Sequence, residues 1–210
     1  TEALNLIAYA WGLENLGPGD VVVITELEHH SNFVPWQFVA KKTGAEFAHI
    51  PIDDLGELQL DALDEIASRG NVKVVANNLV SNTLGTINPV EKLGAWAHEQ
   101  GAIMVVDAAQ AAPHKRIDVQ ALGCDFLAFS SHKLCGPSGV GALWGKRELL
   151  EEMQPFNFGG EMIRSVSLER TSWNELPYKF EAGTPAIAEA YGFGVALDYV
   201  SEVGLEAIEA

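Results

Sequence analysis

The chain has 210 residues, 48% of them hydrophobic, enough to bury one substantial core or a large part of a bigger domain. Its formal charge of −16, from 29 acidic and 13 basic residues, repels phosphate backbones and anionic headgroups and argues against nucleic-acid or membrane-surface partners. No apolar run approaches the roughly 18 residues of a spanning helix, and the start lacks the basic-then-apolar order of a signal peptide, so a cytoplasmic protein is expected.

In chain order, Thr1-Glu2 leads at once into a helical pattern of Ala3, Leu4, Leu6, Ile7, Ala8 and Trp11. A domain seldom begins inside a capping turn, so further sequence upstream is expected. The pattern then predicts a strand over 21–24, a helix over 33–42, a strand over 46–51, a helix over 60–68, a strand over 72–77 and a helix over 90–100. Strands over 102–106, 126–130 and 140–144 follow. Such alternation implies an α/β domain with a mostly parallel sheet and helices on both faces. Between 155 and 184 the periodicity disappears and Gly, Pro and aromatic residues crowd in, which predicts a long irregular loop with a functional or interface role. Val195, Leu197, Val200, Val203, Leu205 and Ile208 continue a helical period to the terminus with no closing signal, so more chain is expected to follow.

The chemistry gathers at two predicted strand ends, where α/β sheets place their ligands. Lys133 follows the apolar run Cys124-Asp125-Phe126-Leu127-Ala128-Phe129 within Ser130-Ser131-His132-Lys133, and Asp107 ends the run 102–106 within Asp107-Ala108-Ala109-Gln110. A lysine for an imine and an acid for a pyridine nitrogen together suggest pyridoxal phosphate, which also needs phosphate donors and a partner for its ring face. Alone, Lys133 reads as a solvated side chain, Asp107 as a helix cap and Gln110 as a surface residue able to bond the ring's phenolic oxygen. His29, in Glu28-His29-His30-Ser31-Asn32, offers a flat face for stacking and a proton carrier near neutral pH, or else a cap. No third ligand accompanies the histidine pair, so no metal site is expected. Thr1 at a helix start, with Ser130 and His132 beside the lysine, suits a phosphate; the latter two also suit plain turn satisfaction. Asn82 is expected at a strand end, either facing the ring oxygen or substrate carboxylate or forming an Asx turn ahead of Pro89. Cys124 and Cys135 show no CxxC or metal spacing. Cys135 is tied too close to Lys133 to act freely as a nucleophile.

With these residues in order, the chain resembles the fold-type I pyridoxal phosphate enzymes of the class V aminotransferase family, and among them the SufS-type cysteine desulfurases. The resemblance runs over essentially the whole chain. It rests on Glu28-His29-His30-Ser31-Asn32 with Val34-Pro35-Trp36-Gln37, Val80-Ser81-Asn82-Thr83-Leu84-Gly85, Val106-Asp107-Ala108-Ala109-Gln110, Ser130-Ser131-His132-Lys133-Leu134-Cys135-Gly136-Pro137 and Phe180-Glu181-Ala182-Gly183-Thr184-Pro185. It implies a fold-type I large domain over 1–210, partial at both ends. Lys133 would carry the imine, Asp107 the pyridinium, Gln110 and Asn82 the ring's oxygen side, and His29 the ring face. Thr1, Ser130 and His132 would hold the phosphate, and Thr184 would add a phosphate contact to the second subunit of a homodimer. The implied substrate is L-cysteine, with alanine released and a persulfide passed to a sulfur-acceptor protein for iron–sulfur cluster assembly. Neither cysteine matches the family's persulfide cysteine, which, like its carboxylate-binding arginine, belongs to a C-terminal part, so the chain alone is expected to be inactive. A selenocysteine lyase, an epimerase on the same fold, or a catalytically silent cofactor-binding fragment are the alternatives.

Overall fold

A computed structural model describes residues 1–209. Six strands form the main sheet: β1 (Asp20–Thr25), β2 (Glu46–Ile50), β3 (Asn71–Asn78), β4 (Ile103–Asp107), β5 (Phe126–Ser130) and β6 (Gly141–Gly145). Their order is β2-β1-β3-β4-β5-β6, parallel except for β6, which pairs antiparallel with β5 along the edge. The predicted strand 140–144 is this edge strand, one residue later than expected.

Alternation along each strand splits the apolar side chains between two layers. Val22, Ile24, Val74, Ala76, Val105, Phe126 and Ala128 pack on one face against Leu4, Ile7, Trp11, Trp36 and Val39. Val21, Val23, Val75, Met104, Val106 and Leu127 pack on the other against Ile66, Val90, Leu93 and Ala97. The first layer is supplied by α1 (Glu2–Ile7), a π-helical turn at Ala8–Gly12, α2 (Leu13–Asn15) and α3 (His30–Thr43); the second includes α4 (Leu63–Ser68) and α5 (Val90–Glu99). Both faces of the inner strands are thereby buried, which is why they read as unbroken Val/Ile runs.

Four departures from the sequence reading stand out. Helix α3 begins at His30 rather than 33, because His29 caps it: the His29 side chain accepts the Ser31 N–H. A short helix, α6 (Arg147–Glu152), follows β6 where none was expected. The segment 155–184 is not structureless: β7 (Ile163–Val166) and β8 (Thr171–Trp173) pair as an antiparallel hairpin, and a 3-10 turn covers Tyr178–Phe180. Its strands are only four and three residues long and mostly solvent-exposed, so no alternation marks them in the sequence. The last predicted helix is two: α7 (Ile187–Val203) stops at Gly204, whose φ of 84° leaves helical geometry, before α8 (Leu205–Glu209). Among the described residues no helix is long and apolar enough to cross a membrane.

Candidate active site

The carboxyl ends of β3, β4 and β5 lie side by side, with Asn78 in register with Asp107 and Asp107 in register with Ala128. Those strands end because the apolar runs give way to groups that must be solvated or hydrogen-bonded: Asn78, Asp107 and Ser130. A cavity of about 240 Å3 opens over them. It is lined by Thr1, His29, Asn82, Asp107, Gln110, Ser130, His132 and Lys133, which makes eight of the nine site residues expected from the sequence neighbours in space. A larger apolar cavity of about 660 Å3, walled by Leu127, Trp144, Leu197 and Val200, contains none of them.

Lys133 ends a 3-10 turn, Ser131–Lys133, directly after β5. The turn is tight: Leu134 and Gly136 N–H both donate to Ser131 O, at 2.8 and 3.0 Å. Cys135 occupies the left-handed region at φ 58°, and a Cβ on Gly136 would lie 2.1 Å from Ser131 Oγ. Lys133 is the only lysine lining the cavity, and its Nζ has no hydrogen-bond or ion-pair partner among the described residues. Asp107 is 7% exposed. Its Oδ1 accepts the Ala109 N–H at 2.9 Å, and no side chain engages Oδ2. The capping of its own turn and an open second oxygen therefore coexist. Gln110 and Ser130, both half-buried, have side chains uncommitted to other residues.

On the opposite wall, His29 Nδ1 accepts the Ser31 N–H at 3.1 Å, which places the proton of the neutral ring on Nε2. His29 thus both caps α3 and lines the cavity. Thr1 is the N-cap of α1 but makes no side-chain cap bond; its hydroxyl lies 2.8 Å from Ser31 Oγ instead. Asn82 does not end a strand, as the sequence suggested, but sits in the turn joining the bridge partners Val80 and Ile87. That turn is held by Ser81 Oγ, which accepts the N–H groups of Thr83 and Leu84, so the Asn82 side chain is not required for it. Thr184 is exposed and does not line the cavity.

Sequence reasoning gave no role to Ser31, Asn78 or Glu28. Ser31 and Asn78 line the cavity. Glu28 lies behind it, where burial pushes its carboxyl up to about 7 despite hydrogen bonds from Thr25, Asn32 and Asn78, with the charge of Asp107 adding to the rise. A hydroxyl within the first turn of α3 was the available signal for Ser31. Nothing local marks Asn78, whose place follows from strand register.

Residues 1–210 match the family Aminotransferase class-V. The chain belongs to the class V aminotransferase family. A cysteine desulfurase of Haloferax volcanii is 53% identical over 210 residues, covering all of this chain and 49% of the relative. Among solved structures, the cysteine desulfurase CsdA of Escherichia coli superposes with a TM-score of 0.94 at 38% identity, over 98% of this chain and 51% of the other. The apo cysteine desulfurase of Thermococcus onnurineus NA1 does so with a TM-score of 0.93 at 42% identity, over 99% and 52%. The fold is accordingly that of the large domain of fold-type I enzymes in this class V family, and the chain spans about half the length of the relatives it matches.

Proposed function

We propose that this chain is the cofactor-holding large domain of a pyridoxal phosphate-dependent cysteine desulfurase. One observation carries the reading: a single cavity at the sheet's carboxyl edge joins one lysine amine and one nearly buried carboxylate, both with bonding capacity left open. The donor set fits pyridoxal 5′-phosphate. Bound there, the cofactor supplies an electron sink for charge developing on the substrate.

The chain's own residues divide the remaining work. Lys133 would hold the cofactor through its Nζ, and the same amine, free of other partners among the described residues, would be placed to carry a proton at the substrate. Asp107, whose Oδ2 is open, would hold the proton of the ring nitrogen, because its negative charge stabilises a positive site there. His29 presents its ring face, while Gln110 and Asn82 orient the cofactor's oxygen side. Thr1, Ser130 and His132 supply phosphate donors, joined by the Ser31 hydroxyl beside Thr1.

Neither cysteine suits attack on a substrate sulfur. Cys124 is 1% exposed, and burial pushes its thiol up to about 11, so it carries almost no thiolate at neutral pH. Cys135 is exposed but fixed two residues from Lys133. Sulfur abstraction from L-cysteine is therefore assigned to a thiol outside these residues, in a SufS-type, cytoplasmic enzyme serving iron–sulfur assembly through an acceptor protein. In a homodimer of it, Thr184 would reach the second subunit's site. The test is borohydride reduction of the protein loaded with pyridoxal 5′-phosphate, followed by peptide mass mapping. The adduct is expected on Lys133 and absent in Lys133→Ala. Labelling of another lysine, with Lys133 unmodified, refutes the reading.

A further inference from the structure

The sheet ladder between β1 and β3 stops at Ile24 and Ala76, short of the cavity. Beyond that point the link from Thr25 of β1 to Asn78 of β3 runs through the Glu28 side chain, beside a bond from the Asn78 side chain to Leu27. Glu28, on the turn between β1 and α3, accepts at Oε1 from Thr25 Oγ1 at 2.7 Å and from the Asn78 N–H at 2.8 Å, and at Oε2 from Asn32 Nδ2 at 2.7 Å. Thr25 is the end of β1, Asn32 lies in the first turn of α3, and Asn78 is the last residue of β3. The link continues on both sides. Asn78 Nδ2 donates to Leu27 O, Asn88 Nδ2 donates to Asn78 Oδ1 at 2.7 Å, and the Leu79 N–H donates to Asp107 O at 3.0 Å.

We propose that Glu28 is a positioning residue of this site: its carboxyl extends the tie between β1 and β3 past the end of their ladder and sets His29 against Asn78 and Asp107. Resting on the cofactor reading above, this means that Glu28 fixes the distance between the group facing the ring and the group at the ring nitrogen. The burial that raises its carboxyl is a desolvation cost that a turn serving stability alone need not carry. Two residues of the tie, Asn78 and Asp107, are cavity walls, and so is His29, which directly follows Glu28 along the chain.

Glu28→Ala and Glu28→Gln, each in the full chain, test this beside His98→Ala as a control at the far end of the sheet. One readout is pyridoxal 5′-phosphate affinity, from the visible absorbance of the bound cofactor, where circular dichroism shows the unliganded protein folded. The other is amide hydrogen exchange at Asn78 and Ser31 without cofactor. Glu28→Ala is expected to weaken affinity by about tenfold or more, the scale of one lost buried hydrogen bond, and to speed exchange at both amides. Glu28→Gln is expected to recover most of the affinity. Its Oε1 keeps both donors, and its Nε2 meets Asn32 Oδ1, now buried without a partner, once that amide rotates. His98→Ala should leave affinity unchanged. Parent-like affinity in Glu28→Ala overturns the proposal, as does unchanged exchange at both amides. If Glu28→Ala does not fold, Glu28→Gln decides: affinity within about threefold of the parent supports the proposal, and a loss of about tenfold overturns it. Should the parent bind no pyridoxal 5′-phosphate, the cofactor reading fails separately, and exchange at Asn78 and Ser31 alone judges Glu28.

Discussion

Asp125→Ala should destabilise the fold and spare the site. Asp125 directly precedes β5, at the end of the sheet opposite the cavity, and is 4% exposed. Its Oδ2 accepts the buried Met104 N–H at 2.7 Å and faces His98 Nε2 at 2.9 Å, while Oδ1 pairs with Lys146 Nζ. The carboxylate thus pins β4, α5 and the chain after β6 together. Alanine leaves the Met104 N–H without an acceptor, at about 1–3 kcal/mol for an unsatisfied buried donor. The side chains of His98 and Lys146 are 40% and 37% exposed, so both recover water and their two pairs add only about 1 kcal/mol. The expected loss is about 2–4 kcal/mol, a fall of roughly 5–15 °C in melting temperature for a chain of this length. Urea and thermal unfolding measure it, with pyridoxal 5′-phosphate affinity measured on the folded fraction. A loss below about 0.5 kcal/mol, the range of an ordinary surface substitution, would refute the pinning argument. A large loss of cofactor affinity in protein that is still folded would refute the separation of the two sheet ends.

Three further outcomes are expected. Asp107→Asn keeps the bond from the Ala109 N–H and so the turn, but its amide cannot hold the ring nitrogen's proton; turnover of the complete protein should fall by about a hundredfold or more with near-parent stability, and near-normal kcat would count against this role. Gly136→Ala puts a Cβ against Ser131 Oγ and, at 3.1 Å, against Ser131 O, so it should displace the Lys133 turn, cost about 1–3 kcal/mol and lower the yield of the borohydride-fixed adduct; parent-like yield would show that the turn adapts. Glu28 holds its proton in the folded chain up to about pH 7, against 4.5 unperturbed, so its contribution to stability falls as pH rises through that window. Relative to the parent, Glu28→Gln should therefore gain stability between those limits, by at most about 3 kcal/mol at the upper end, and a difference that stays flat with pH would remove the assigned shift.

The sequence by itself determined what depends on neighbours in the chain. Runs such as Val21-Val22-Val23-Ile24 and 103–106 announce strands buried on both faces, and polar groups at their ends announce ligand positions, because an apolar strand stops where a side chain needs water or a partner. Lys133 and Asp107, which line the cavity, were legible as strand-end residues for that reason. Two short strands in 163–173 escaped notice because exposed hairpin residues carry no burial pattern. Only the tertiary structure decided which strand ends are adjacent. The order β2-β1-β3-β4-β5-β6 sets Asn78 beside Asp107, and hydrogen bonds spanning 50 residues bring Glu28 to β3. Such contacts join residues whose separation along the chain bears no fixed relation to their separation in space, so neither Asn78 nor the Glu28 carboxyl has a local signature, and only the structure shows that exposed Thr184, in the loop before α7, does not line this cavity.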